Sequence, residues 1–100
     1  MSTLHLLSHS PFTDSRLTSC LRLLSAHDGL LLSGDAVYAL QAGTAPHRAL
    51  ELLPDSIAVF ALDEDLHARA INELPARVRS IDYPAFVELT LRYAKVNSWL

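Results

Sequence analysis

Short apolar runs alternate along the chain with segments of helical spacing. Thr3 to Leu7 is a leucine-rich run closed by Ser8-His9-Ser10-Pro11, which reads as a buried strand and a turn. Leu17, Cys20, Leu21 and Leu24 then fall at i, i+3, i+4 and i+7, one face of a helix over Ser15 to Ser25. Thr13 or Asp14 can cap its start, and Gly29 suits a left-handed position past its end. Leu30-Leu31-Leu32 is a second buried strand, followed by a turn at Ser33-Gly34-Asp35. Ala36 to Gln41 and Pro46 to Leu53 read as two short helical pieces. Ile57 to Leu62 is continuous, β-branched and aromatic, the pattern of a strand in the middle of a sheet covered on both faces. Asp63-Glu64-Asp65 opens a helix to about Asn72, three acids complementing the positive end of the helix dipole. Val78 to Ile81 is a fourth strand. Asp82-Tyr83-Pro84 starts a last helix that runs to about Lys95, with proline in the first turn, where its missing N–H costs nothing.

Strands alternating with helices predict a parallel sheet with helices on both faces. Right-handed crossovers favour a small three-layer α/β fold of flavodoxin-like type, as one domain over residues 1–100. The last helix carries two apolar stripes, Val87-Leu91-Ala94 and Phe86-Leu89-Tyr93. A helix apolar over more than one face is expected to pack on the sheet and on something else as well. Trp99, in the tail Val96 to Leu100, is a large aromatic of the kind that anchors interfaces. Phe86, Leu89, Tyr93 and Trp99 are therefore the candidate interface residues.

Composition strengthens this expectation. A chain of 100 residues buries only roughly 60–65% of its unfolded surface. Half of its residues are nevertheless hydrophobic and only 19% are charged, where a small domain needs more charge rather than less. Part of the surface is expected to be covered by another chain. Net charge is −3 and the eight Lys and Arg are scattered, so no basic stripe is available for a phosphate backbone and direct nucleic-acid binding is not expected. No basic n-region precedes the first apolar run, no run approaches the length of a membrane helix, and a single cysteine excludes an internal disulfide. These features read as a cytoplasmic chain without membrane contact.

Candidate chemistry is sparse. Three glycines make neither G-x-G-x-x-G nor a P-loop, so no nucleotide cofactor is expected, and no G-x-S-x-G elbow surrounds Ser8, Ser10 or Ser33. The five histidines lack ligand partners at metal spacing and read as surface or turn residues. Cys20 is the one thiol and hence the one candidate persulfide site. Its place on the apolar stripe with Leu17 and Leu21 favours a core role instead. If the fold bound a small ligand as an isolated domain, the strand ends near Ser8–Pro11, Ser33–Asp35 and Asp63 would be the place.

Several segments taken in order resemble one family. Leu4-His5 with Ser10-Pro11, Leu30-Leu31-Leu32 with Val37-Tyr38-Ala39, Val59-Phe60-Ala61-Leu62 with Asp65-Leu66 and Ala68-Arg69, Ile81-Asp82-Tyr83 with Phe86-Val87-Leu89-Thr90, and Ser98-Trp99 are similar to TusB/DsrH proteins across nearly the whole chain. Two positions depart from the pattern: Gly34-Asp35 replaces the usual Asp-Gly, and Ala70 stands where glycine often follows arginine. The resemblance implies a DsrE-like α/β fold and a non-catalytic or accessory subunit. It also implies TusC-like and TusD-like partners in a heterohexamer of two heterotrimers, which relays persulfide sulfur from a TusA-like to a TusE-like protein for 2-thiolation of tRNA wobble uridine. The principal reactive cysteine would belong to the TusD-like partner; some members carry one in the first helix, where Cys20 stands. A DsrH-type role in sulfur oxidation within a DsrEFH complex, or a carrier role for Cys20 itself, are the alternatives.

Overall fold

A computed structural model describes residues 2–99. The chain runs β1 (Thr3–Leu7), α1 (Arg16–Arg22), β2 (Gly29–Leu32), a 3-10 segment (Gly34–Leu40), α2 (Ala45–Glu51), β3 (Ala58–Leu62), α3 (Asp63–Ala68), β4 (Val78–Ile81), α4 (Tyr83–Arg92) and β5 (Lys95–Trp99). All strand pairs are parallel, in the order β4-β3-β2-β1-β5. The three-layer α/β fold is the one expected. Its first four strands lie in simple succession with β5 beyond β1, rather than in the 2-1-3-4-5 order of flavodoxins.

Strand order explains how the sheet is covered. Three successive crossovers step in one direction, so α1, the 3-10 segment, α2 and α3 share one face. Their Leu17, Cys20, Val37, Leu40, Leu50 and Leu66 pack there with Leu7, Leu30, Leu32, Val59 and Ala61 of the strands. The last crossover steps back across the whole sheet, so among the described residues α4 is the one helix on the other face. Leu89 packs there with Leu4, Leu31 and Leu62, flanked by Phe86, Tyr93, Phe60 and Leu6. β2 is central, and all four of its residues are buried. Each buried leucine contributes roughly 1.5–3 kcal/mol relative to exposure.

Several boundaries differ from the expectation, each for a local reason. Asp14 does serve the start of α1, its carboxylate accepting from the Arg16 N–H at 2.8 Å, although Ser15 is the residue at the helix boundary. The left-handed residue after α1 is His27 (φ 71°), not Gly29, which opens β2. Thr44 caps α2 through its side-chain oxygen. α3 stops at Ala68 rather than Asn72 because Ala70 turns left-handed (φ 53°). The Ala70 N–H donates to His67 O and the Ile71 N–H to Leu66 O, the paired bonds of a Schellman ending. α4 ends at Arg92, and the supposed tail is a fifth strand pairing Thr3 to Leu7 with Lys95 to Trp99.

Candidate functional site

The two stripes of α4 face opposite ways. Phe86, Leu89 and Tyr93 turn inward onto the chain's own sheet, with Leu89 buried. Tyr83, Val87 and Leu91 are spaced at i, i+4 and i+8 and form an outward ridge; Val87 is 59% and Leu91 82% exposed. Val96 of β5 is also exposed. The candidate interface residues on α4 are thus the ones that seat the helix, and its uncovered apolar surface is the neighbouring stripe.

Trp99 is the one residue of β5 that is not exposed to solvent, and it packs against the larger core. Its indole N–H donates to Nδ1 of His5 at 3.0 Å, and the two rings lie 6.1 Å apart. His5, expected on the surface or in a turn, is only 5% exposed, because strand alternation places it on the same face as Leu7. An indole N–H can only donate, so Nδ1 holds its lone pair and the imidazole proton sits on Nε2. Nε2 faces Oδ2 of Asp28 at 3.3 Å. Asp28 is 4% exposed and also accepts the Thr3 N–H at 2.9 Å and the Ser25 N–H at 3.0 Å. Burial alone would raise the Asp28 carboxyl. The two backbone N–H groups and His5 outweigh it and hold the group below its ordinary range.

Cys20 lies on the inner face of α1 with 0% exposure. Burial, assisted by the Asp28 charge, pushes its thiol up to about 12. At neutral pH it is a protonated packing group in this conformation and presents no sulfur to a partner.

The strand ends carry polar groups that are engaged with one another. The Gly34 N–H donates to Asp65 Oδ2 at 2.8 Å. Arg69 donates from Nε and Nη2 to Asp35 Oδ1 at 3.0 and 2.9 Å, and its guanidinium lies 5.9 Å from the Tyr38 ring centroid. Ser80 donates to Asp63 at 3.0 Å. Among the described residues, no three His, Cys, Asp or Glu side chains gather as a metal site, and no helix is long and apolar enough to cross a membrane. An open apolar groove of about 590 Å³ runs between α1 and α2, lined by Phe12, Leu17, Leu21 and Pro46 among others.

The described residues thus present an exposed apolar ridge on α4 and a buried polar chain from Trp99 through His5 to Asp28. The family described as "DsrH like protein" matches residues 9–96. The chain belongs to the DsrH-like family. Protein TusB of Serratia proteamaculans is 42% identical over 98 residues, covering 96% of this chain and 99% of that protein. Protein TusB of Erwinia tasmaniensis is 38% identical over 97 residues, with the same shares covered. Among solved structures, the YchN protein of Escherichia coli superposes with a TM-score of 0.86 at 22% identity, covering 99% of each chain. The MTH1491 protein of Methanobacterium thermoautotrophicum does so at 0.71 and 14% identity, covering 96% of each. These likenesses show that the DsrH-like chain shares its fold with proteins of distant sequence. His5 and Trp99 lie just outside the span matched by the family.

Proposed function

We propose that this chain is a non-catalytic subunit of a Tus-type sulfur relay. It stands beside TusC-like and TusD-like subunits in a heterohexamer of two heterotrimers, which takes persulfide sulfur from a TusA-like protein and delivers it to a TusE-like protein for 2-thiolation of tRNA wobble uridine. The observation that carries this reading is the exposed ridge Tyr83-Val87-Leu91 on the one helix that covers its face of the sheet, in a chain of the DsrH-like family. The burial of Cys20 supports an accessory rather than a carrier role. Similarity to TusB proteins at 38–42% identity supports the thiolation branch over sulfur oxidation.

Co-expression with TusC-like and TusD-like subunits tests the proposal. The expected result is a stable complex containing all three chains, lost when Val87 and Leu91 are both replaced by aspartate. A well-behaved monomer that ignores those subunits would sink the reading. Deletion of the gene in its host is expected to lower wobble-uridine thiolation, measured in digested tRNA.

A further inference from the structure

We propose that the open groove between α1 and α2 is a docking site for an acidic amphipathic helix of a partner chain. The inference goes beyond the relay reading and does not depend on it. The groove lies on the sheet face opposite α4, so an occupant here leaves the ridge Tyr83-Val87-Leu91 free. Leu17, buried, and Leu21, half-buried, form its floor. Thr18 of α1 and Ala45 and Ala49 of α2 form its walls, with side chains too short to close the gap. Phe12 borders it at 53% exposure. Leu52, three residues beyond Ala49, carries the apolar row of α2 onward at 84% exposure. Small residues four apart let a second helix backbone approach closely. An apolar trough between helices takes hydrophobic anchors spaced at i, i+4 and i+7.

Charge selects the occupant. By helical spacing Arg22 stands one turn beyond Thr18 on the rim of α1, and Arg48 one turn beyond Ala45 on the rim of α2. Both are exposed, and among the described residues neither side chain has a hydrogen bond or ion pair within the chain. The acids of these two segments are already engaged: Asp14 is paired with Arg16, and Glu51 lies 3.5 Å from His47. A chain of net charge −3 thus keeps uncommitted cations on both rims of one apolar trough. A second copy fits this face poorly, because a two-fold contact through it sets arginine against arginine. A basic or neutral helix leaves both guanidinium groups without partners. A helix with apolar anchors in the trough and carboxylates on its flanks satisfies the floor and the rims together.

The probe is a fluorescein-labelled amphipathic peptide with leucine at i, i+4 and i+7 and glutamate on both flanks; its twin carries lysine at every glutamate. Full-length protein is titrated into each and anisotropy is read. The glutamate peptide is expected to saturate and to bind about tenfold more tightly than its twin, an advantage that shrinks with added salt. Arg22→Glu with Arg48→Glu, both at exposed positions, is expected to reverse the preference. Ala45→Phe fills the trough without changing charge, and is expected to weaken the glutamate peptide about tenfold with the far-UV circular dichroism unchanged. Val87→Asp with Leu91→Asp, on the other face of the sheet, is expected to leave binding as it was. Absence of saturable binding, equal affinity for the two peptides, or a preference that survives the charge reversal would each overturn the proposal. So would full affinity in a folded Ala45→Phe chain, loss of binding in the α4 variant, or a wild-type dimer that sedimentation shows to be broken by Ala45→Phe.

Discussion

Gly29 lies directly beneath the phenol of Tyr93: a Cβ at this position would come within 2.7 Å of the Tyr93 Cζ. Glycine is required here for space, not for backbone freedom, and the close approach lets the end of α4 settle on β2. Gly29→Ala is expected to push Tyr93 outward and cost about 1–3 kcal/mol. Adding Tyr93→Leu should recover part of the loss, as read from urea midpoints. An unchanged midpoint in the single variant would mean the ring moves aside freely.

Arg77 ties the loop before β3 to the strand after it. Its Nη1 donates to Leu50 O and Leu53 O at 2.9 and 2.7 Å, and its Nη2 to Pro54 O and Ile57 O at 2.9 and 2.8 Å. Arg77→Met leaves these carbonyls to find water, at an expected cost of about 2–3 kcal/mol. Arg77→Lys should restore less than half, because an ammonium cannot span the carbonyls as a planar fork does. Thermal unfolding of the three proteins distinguishes this from a simple loss of charge, for which lysine would restore most of the stability.

At Ala70 the chain adopts a left-handed conformation that an L-residue with a Cβ resists. Ala70→Gly is expected to stabilise the chain, by up to about 1 kcal/mol after the added entropy of the unfolded glycine is subtracted. Lower stability in that variant would show that the Ala70 methyl makes up for the strain.

Asp28 links stability to acid. Its carboxyl is held below its unfolded value, so its contribution is fully present above that value, near pH 4. The contribution is lost as pH falls further, through the depressed folded value. Urea denaturation across that window is expected to show a fall in stability that is smaller in Asp28→Asn. The variant should also be less stable at neutral pH, since the N–H groups of Thr3 and Ser25 lose an anionic acceptor.

Cys20 should resist modification in the folded chain. Iodoacetamide is expected to label it only under denaturing conditions, because the thiol is buried and its ionisation pushed up to about 12. Rapid labelling of the native protein, or a persulfide that forms on the wild type and not on Cys20→Ser, would restore the carrier role.

Periodicity revealed the interior of this molecule better than its rim. β2 and β3 were legible because strands buried on both faces must be continuously apolar. β5 was not: Lys95-Val96-Asn97-Ser98-Trp99 sits at an edge, buries little, and carries almost no hydrophobic signal. The two stripes on α4 were visible, but their assignment required knowing which sheet residues lay beneath, and the inward set proved to contain Leu89. His5 could have been found. A histidine between Leu4 and Leu6 in a buried run has few places to turn, and alternation alone puts it beside Leu7. Its partners could not, because Asp28 and Trp99 come from distant points on the chain and meet it only through strand order.

That order has a temporal side as well. As the nascent polypeptide emerges, the first four strands can zip together one after another. The outer flank of β1 keeps its hydrogen-bonding groups bare until residues 95–99 clear the ribosome, since only they complete the ladder along it. A chain in which β5 has not yet paired thus carries an adhesive margin along β1, and docking of that one strand closes it.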